Sequence, residues 1–311
     1  MPREFHYGGQ AVIEGVMIRG RTRAILAVRR PDHAIETRGL QIPTWASGKV
    51  RAVPFVRGVL VFAETLVVGM RALTLSASLS TDDGKDEAPI SPLAMAITMT
   101  LAIGFAIVLF FLVPLFVSKG LESAGIGEFA ANVVEGALRL AAFVGYIFLI
   151  ARIKDVQRVL AYHGAEHMTV AAHEAGAPLD LENVRRFPRA HPRCGTAFLM
   201  TVMVVSIVVF LFVPREPLPL VIASRVLLVP VIAAISYEII RYAGRHPQNP
   251  WVRALTGPNL LLQSLTTREP DDDQVEVAIC AMKAAIALDG VAPTAQQAQQ
   301  ETAPIAGSGS S

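Results

Sequence analysis

The sequence predicts an α-helical integral membrane protein with about four transmembrane helices, a small N-terminal β-meander and a cytosolic helical region. Three observations predict this class. Of the 311 residues, 52% are hydrophobic and 17% are charged, whereas soluble domains carry about 25% charged residues. Several stretches in the middle of the chain are apolar for about 20 residues, the length that crosses a bilayer. The N-terminal part instead alternates short β-branched runs with glycine, which is typical of hairpins.

The composition also limits the partners and the compartment. The formal net charge is +2, which is too small to predict binding to nucleic acid. The two cysteines, Cys194 and Cys280, lie far apart in the sequence and form no disulfide framework. A reducing compartment is therefore the simpler interpretation.

Residues 1–54 are predicted to form a cytosolic β-rich segment. Short apolar runs occupy residues 11–13, 16–18 and 24–28, and a returning strand at residues 34–37 follows the turn signal at Pro31 and Asp32. Glu14 stands between two of these runs, and two interpretations are open. Its carboxylate is either a solvent-exposed strand side chain or a group directed at the functional site.

Residues 55–79 are predicted to form a long apolar helix with charges on one side. Arg57, Glu64 and Arg71 recur every seven residues and so lie nearly on one face. Three charges in such a helix argue against a simple lipid-exposed span. We expect a helix that lies at the membrane interface or packs against other helices. The pattern leaves open whether this helix enters the bilayer.

Two pairs of helices are predicted to cross the membrane, within residues 93–153 and 197–242. Arg139 and Arg225 fall toward the outer ends of their helices. We expect both side chains to snorkel to the interface, with an ion pair to Glu135 as the alternative.

Basic residues give these helices an orientation. Arginine and lysine are frequent in segment 154–196 and again after the last span. Because positive loops stay in the cytoplasm, both termini and this segment are predicted to be cytoplasmic, and membrane lipids are expected partners. Arg193 and its neighbouring arginines could also meet anionic headgroups or a charged substrate. Residues 243–290 are predicted to form a cytosolic helical segment, and residues 291–311 a disordered tail.

The motif H-x-x-E-H is formed by His163, Glu166 and His167. On a helix, the two histidines lie one turn apart on one face and can hold one metal ion. Glu166 is then the candidate catalytic residue, a general base toward a water that the metal activates. The alternative is a helix end that carries two solvated histidines.

The predicted topology brings further ligand types to the same membrane level. His191 and Cys194 precede the third span, and Glu238 comes at the cytoplasmic end of the fourth. We expect zinc, held by the two motif histidines and by one or two of these three residues. Three ligands would leave a position for catalysis, whereas both motif histidines with His191 and Cys194 would give a closed structural site. Cys194 could instead be a plain buried side chain, and Glu238 could pair with Arg241.

Six segments are distinctive together: GGQAVIEGVMIRG (8–20), YHGAEH (162–167), ENV (182–184), HPRCGT (191–196), SYE (236–238) and LTTREP (265–270). They resemble the YqhQ-like family of bacterial membrane proteins, and the resemblance runs from about Gly8 to Asp289. It implies a bacterial inner-membrane protein in which the motif residues matter. The family is a domain of unknown function, described as a predicted metal-dependent enzyme without an established substrate, so the resemblance implies no particular reaction.

Two hypotheses of function follow. The first is a metal-dependent hydrolase at the cytoplasmic membrane face, acting on an amide or ester of a membrane-embedded peptide or a lipid-linked compound. In the second, the same residues form a structural metal site or hydrogen-bonded knot in an assembly, quality-control or scaffold factor for other membrane proteins. The environment of Glu166 discriminates them. A carboxylate near an open metal position favours hydrolysis, and a carboxylate bonded to backbone or arginine favours a structural role.

Overall fold

The computed structural model describes residues 5–43, 53–81, 92–191, 194–213, 217–246 and 249–290. The protein is mostly helical, at 71%, with one small antiparallel sheet near the N-terminus. Arg193 and the predicted tail at residues 291–311 lie outside the described residues.

The N-terminal sheet is a four-stranded antiparallel meander in the order β1-β2-β3-β4. Its strands are Gly8–Val12 (β1), Gly15–Arg19 (β2), Arg23–Arg29 (β3) and Ile35–Gln41 (β4). The register places Gly8 opposite Arg19. The predicted β-meander is therefore confirmed, and short β-branched runs between turn residues explain it.

Eleven α-helices follow within the described ranges. They are Val56–Thr81 (α1), Pro92–Ile107 (α2), Val113–Ser123 (α3), Glu128–Ile150 (α4), Lys154–Glu174 (α5), Leu181–Val184 (α6), Gly195–Leu211 (α7), Leu218–Leu227 (α8), Val229–Arg245 (α9), Pro250–Thr266 (α10) and Asp272–Gly290 (α11). A π-helical turn, Val108–Leu112, joins α2 to α3.

Three helical stretches in the described residues are long and apolar enough to cross a bilayer: Val56–Thr81, Ala96–Ser123 and Glu128–Ile150. Helices α8 and α9 would supply a fourth if they act as one span, since together they pass the same test across a bend of 43°. Helix α7 is apolar but shorter. By length and composition, the molecule thus offers three or four candidate spans.

The sheet is covered on both faces, and this fixes the place of three helices. Val16, Ile18 and Ile25 pack in one core with α5 and α11. Met17 and Leu26 point to the other face, because successive strand side chains alternate, and they pack against α1. Helix α5, which carries the H-x-x-E-H motif, is therefore seated directly on the sheet.

Helix α1 packs against other elements near its start and again further along. Near its start, Gly58 lies closely against Ala234 and Tyr237 of α9. Further on, Val68 and Ala72 are fully buried against the sheet. The expected packing of this helix against other elements is therefore observed.

Arg139 and Arg225 do not snorkel, contrary to the first expectation. Each guanidinium lies 2.7 Å from the buried carboxylate of Glu135, and both arginines are almost fully buried. Arg139 Nε also donates to the carbonyl of Phe110 at 3.0 Å, in the π-helical turn. The charges of these apolar helices pair with one another, because a charge buried without a partner is costly.

Candidate metal centre

Helix α5 presents the H-x-x-E-H motif as predicted. The imidazole ring centroids of His163 and His167 are 4.3 Å apart. The helix can lie close to the segment after α10 because residue 164 is glycine. A Cβ at Gly164 would stand 2.3 Å from the carbonyl oxygen of Arg268, so any side chain there would force the two backbones apart.

Three side chains converge on one point. One ligand atom from each of His163, His167 and Cys194 lies within 4.8 Å of the other two, an arrangement that could hold a metal ion. His167 and Cys194 are buried, and His163 is partly buried. Within the described ranges, this is the one group of three or more His, Cys, Asp or Glu side chains with such geometry.

Backbone carbonyls fix the tautomer of both imidazoles. His163 Nδ1 lies 2.7 Å from the carbonyl oxygen of Thr266, and His167 Nδ1 lies 2.7 Å from that of Arg189. A carbonyl oxygen only accepts, so each Nδ1 carries a proton, and Nε2 is the nitrogen whose lone pair the neutral ring offers to a metal. Hydrogen bonds of this kind orient the histidines that bind metals in proteins.

With both Nδ1 atoms bonded to carbonyls, Nε2 is the ring nitrogen that each histidine has left for a metal. His163 Nε2 lies 3.2 Å from the sulfur of Cys194. His167 Nε2 is buried, and no hydrogen-bond partner in the described part of the chain reaches it. A buried nitrogen without a partner costs free energy, and a metal ion bound here would remove that cost.

Cys194 stands directly before α7, at the N-terminal end of that helix. Its sulfur accepts the N–H of Thr196 at 3.3 Å and lies 3.1 Å from the hydroxyl of the same residue. The positive end of the helix dipole favours an anionic ligand at this position. Cys194 is buried, as the alternative interpretation had it, but its sulfur also contacts an imidazole of the motif.

Glu166 lies beside the cluster and is buried. Its Oε2 lies 3.6 Å from His167 Nε2, and its carboxylate accepts a hydrogen bond from the backbone N–H of Gly9. Burial raises the pKa of Glu166 to about 7, against opposing effects of His163 and of the Gly9 N–H. Glu166 therefore has both of the environments described above. One carboxylate oxygen lies near the ligand atoms, as expected for a hydrolase, and the carboxylate also bonds to the backbone, as expected for a structural role.

His191 borders the cluster but is not one of the three converging ligands. Its Nε2 lies 3.2 Å from the carboxylate of Glu174, and its ring centroid is 5.8 Å from that of His167. The amide of Gln263 bonds the N–H and the carbonyl of His191, each at 2.8 Å. The closed site with four ligands is therefore not the arrangement in the structure.

Glu238 does not join the cluster, so this predicted ligand is not brought to the site. Arg57 Nε donates to its carboxylate at 2.7 Å, a second nitrogen of Arg57 contacts the other oxygen, and the N–H of Phe55 lies at 3.3 Å. The alternative expectation was an ion pair between Glu238 and Arg241, but the main ionic partner of Glu238 is Arg57. Arg57 precedes Glu238 by 181 residues, so no local pattern indicates this pairing.

Glu14 occupies the turn between β1 and β2, with a φ of 51°. Its carboxylate pairs with the guanidinium of Arg158 and accepts the hydroxyl of Tyr162 at 3.2 Å. Both partners belong to α5, so Glu14 ties the sheet to the helix that carries the motif. This placement matches neither expectation, an exposed strand residue or a group directed at the site.

The sequence marks the end of α10 through the segment LTTREP (265–270), but it does not indicate what this helix contributes to the site. This helix supplies Gln263, which holds His191, and Thr266, whose carbonyl fixes the ring of His163. A backbone carbonyl leaves no mark in a sequence. The leucines at 260–262 could have indicated a helix, but not its contact with the motif.

A cavity of about 330 Å³ lies beside the cluster. Glu166, His167 and Cys194 form part of its wall, and so do Arg19 of β2 and Thr65 of α1. Cavities that bind small molecules measure about 300–1,000 Å³. A small molecule, or one end of a longer one, could therefore reach the ligand atoms.

Comparison with known proteins places these motifs in a family. A family model described as a protein of unknown function, DUF1385, matches residues 53–288. The uncharacterized protein YqhQ of Bacillus subtilis (strain 168) is 32% identical over 305 residues, covering 94% of this chain and 95% of that protein. No solved structure matches the chain. The chain belongs to the DUF1385 family, in agreement with the YqhQ-like resemblance of its motifs.

Proposed function

We propose that this protein is a zinc-dependent hydrolase at the cytoplasmic face of the bacterial inner membrane. One observation carries the proposal. One ligand atom from each of His163, His167 and Cys194 lies within 4.8 Å of the other two, and carbonyls hold both imidazoles through Nδ1, which leaves Nε2 to bind a metal.

The donor set suits zinc. Two neutral imidazoles and one thiolate are ligands that zinc takes in proteins, and three protein ligands leave its fourth position open, as in catalytic sites. When bound, zinc would supply a Lewis acid that lowers the pKa of a bound water and polarises a carbonyl. The buried lone pair of His167 Nε2 is the feature of this chain that fits such an ion best.

Glu166 would serve as the general base. The Gly9 N–H anchors its carboxylate, and Oε2 remains next to the ligand atoms. In the proposed reaction, Glu166 takes a proton from water while the water oxygen bonds to the carbonyl carbon of an ester or amide. The bond to the leaving alcohol or amine then breaks, and Glu166 returns the proton to the leaving group.

The site would lie at the membrane interface. Cys194 directly precedes the apolar helix α7, while His163 and His167 lie on α5, which packs on the sheet. Strand β4 of this sheet carries the half-exposed Arg38, so the sheet belongs outside lipid. The substrate would therefore be a membrane-embedded peptide or a lipid-linked compound. We propose that α2–α3, α4, the shorter α7 and α8–α9 cross the bilayer. We propose that α1, although long and apolar enough to span, does not, because its Val68 and Ala72 pack on the sheet.

A second candidate is a structural site in an assembly, quality-control or scaffold factor for other membrane proteins. The observation that favours it is the bond between Glu166 and the Gly9 backbone. The cluster also joins α5 to α7 and, through the carbonyl of Thr266, to α10. A metal here would fasten the sheet-bearing part of the molecule to its apolar helices.

The test is the metal content of detergent-purified protein, measured for the wild type and four variants. We expect about one zinc per chain in the wild type and in Glu166→Gln. We expect a loss of most zinc in His163→Ala, His167→Ala and Cys194→Ala, because each removes one ligand. Wild-type protein that binds no zinc, with all variants folded equally well, would contradict a zinc enzyme.

Activity then separates the two candidates. The zinc-loaded wild type and Glu166→Gln are compared on a panel of ester and amide substrates in detergent. Hydrolysis by the wild type that falls about a hundred-fold or more in Glu166→Gln is expected for a general base. Bound zinc with equal thermal stability and no hydrolysis in either protein would favour the structural site.

A further inference from the structure

We infer that the cavity beside the cluster binds an organic anion, a phosphate or carboxylate group joined to an apolar body, and that Arg19 binds the acid group. The inference rests on the proposed function and names the substrate class of the same site. It begins from one observation, that Arg19 and the candidate metal ligands line a single cavity.

The sheet register places Arg19 close to the cluster. Arg19 lies opposite Gly8 on the neighbouring strand, and the next residue, Gly9, bonds to Glu166. Neighbouring strands lie about 4.8 Å apart. The backbone of β1 and β2 therefore holds the Arg19 side chain within reach of a molecule that also touches Glu166 and His167.

The guanidinium of Arg19 is held in position by α1. Its Nη1 donates to the hydroxyl of Thr65 at 3.1 Å, and its Nη2 lies 3.6 Å from the carboxylate of Glu64, which is fully buried. The Arg19 side chain remains 30% exposed and forms part of the cavity wall. A guanidinium has five N–H donors in a planar fork, and this fork matches the geometry of a phosphate or carboxylate group.

Arg19 gives the cavity a fixed point for an acid group. Of the described residues that line it, Arg19 and Glu166 are the arginine and the carboxylate. An anionic ligand that places its acid group on Arg19 would present a more distant ester or amide to the cluster, because the same cavity also reaches His167 and Cys194.

The remaining wall suits an apolar body. Phe5, Tyr7, Met17 and Val170 contribute aromatic and aliphatic surface. The cavity also reaches Gly195, the first residue of the apolar helix α7. A volume of about 330 Å³ holds a headgroup and a few carbons of an amphiphile, and the rest of its chain could follow the apolar helices.

The test uses dodecyl phosphate as the probe and isothermal titration calorimetry of zinc-loaded protein in dodecyl maltoside. We expect Arg19→Gln to weaken binding by about ten-fold to a hundred-fold, because a charged hydrogen-bonded pair is lost. Arg19→Lys keeps the charge without the fork and should fall in between. Arg23→Gln is the matched control, since Arg23 begins β3 of the same sheet and does not line the cavity, and it should bind like the wild type.

A second variant keeps the test decisive if Arg19→Gln folds poorly. Thr65→Val removes the hydroxyl that orients Arg19 but leaves every charge in place, and it should weaken binding several-fold at an unchanged unfolding temperature. Binding that is equal in the wild type, Arg19→Gln and Thr65→Val would overturn the inference. Inorganic phosphate that binds as tightly as dodecyl phosphate would also overturn it, because the site would then take a free anion.

The zinc content of the same samples separates this inference from the proposed function. Protein that holds no zinc, but binds dodecyl phosphate in a manner dependent on Arg19, would refute the zinc enzyme and support the anion site. Protein that holds zinc, with equal probe binding in the wild type and Arg19→Gln, would refute the anion site alone.

Discussion

Gly9 sets how closely the sheet approaches the candidate base. A Cβ at this position would stand 2.7 Å from Cγ of Glu166 and 2.7 Å from the carbonyl oxygen of Met17. Both distances are far inside van der Waals contact, so a side chain must displace either Glu166 or the strand. Gly8, on the same strand, has open space where its Cβ would be. The two glycines therefore form a matched pair for experiment.

We expect Gly9→Ala to lower the free energy of unfolding by about 1–3 kcal/mol, the usual cost of forcing an extra methyl group into a packed site. Zinc content should stay unchanged, because Glu166 is not among the three converging ligands. Gly8→Ala should change stability by less than about 0.5 kcal/mol. Thermal unfolding of both variants provides the measurement, and equal unfolding temperatures would contradict the close approach.

The sequence could predict those site residues that leave a local pattern. His163 and His167 follow from their spacing on a helix, and the inferred orientation of the spans brought Cys194 to the same level. Gln263 and Thr266 could not be predicted, because their roles depend on where α10 packs. Glu238 was assigned to the site from its spacing after His167 and its expected membrane level, but its carboxylate pairs with Arg57 of α1, a contact that neither criterion indicates.

Among the helices, α4 carries the charge that holds neighbouring apolar segments together. Glu135 binds Arg139 of its own helix and Arg225 of α8, and Arg139 reaches the π-helical turn through the Phe110 carbonyl. Such a cluster is stable only while every charge keeps its partner. The carboxylate is the shared partner of both guanidiniums.

Glu135→Gln should therefore lower the free energy of unfolding by about 3–5 kcal/mol, because two buried guanidiniums lose their common counter-charge. Denaturant unfolding of the detergent-solubilised protein provides the measurement. Glu128→Gln is the control, since Glu128 is exposed in the first turn of the same helix, and its effect should stay within about 1 kcal/mol. A loss of the same size in both variants would show that the cluster contributes little to stability.

Whole elements were easier to predict than their partners. The β-meander, the helix at 55–79 and the helix after Asp271 all follow from periodicity and end signals, and all three are present. The ion pair of Arg225 with Glu135 was only the second of two expectations, because Glu135 lies 90 residues away and only packing joins them. Membrane depth alone suggested snorkelling for this residue, and a buried partner outweighs that tendency.

The proposed topology of the whole molecule makes a prediction about access from outside the cell. Arg186 lies exposed between α6 and α7 on the proposed cytoplasmic side, and Ala124 lies exposed in the turn between α3 and α4 on the opposite side. We expect a membrane-impermeant maleimide to label Ala124→Cys in intact protoplasts, and to label Arg186→Cys only after permeabilisation.

The background for this labelling is a Cys280→Ser protein that keeps the buried Cys194, and its own weak labelling is the control. Labelling of Arg186→Cys in intact protoplasts, with Ala124→Cys protected, would reverse the proposed orientation. The candidate site would then face the other side of the membrane.

Because α11 covers Val16 and Ile18 together with α5, the core on this face of the N-terminal sheet cannot be completed until the ribosome has delivered a distant part of the chain. During synthesis, this apolar face would stay only partly covered, by α5, while the last candidate spans emerge and insert. We expect nascent chains halted before Asp272 to be cut readily by added protease between β2 and β3, and chains that extend past Gly290 to resist it. Closure by α11 would then be the step that commits a newly made molecule to its final form.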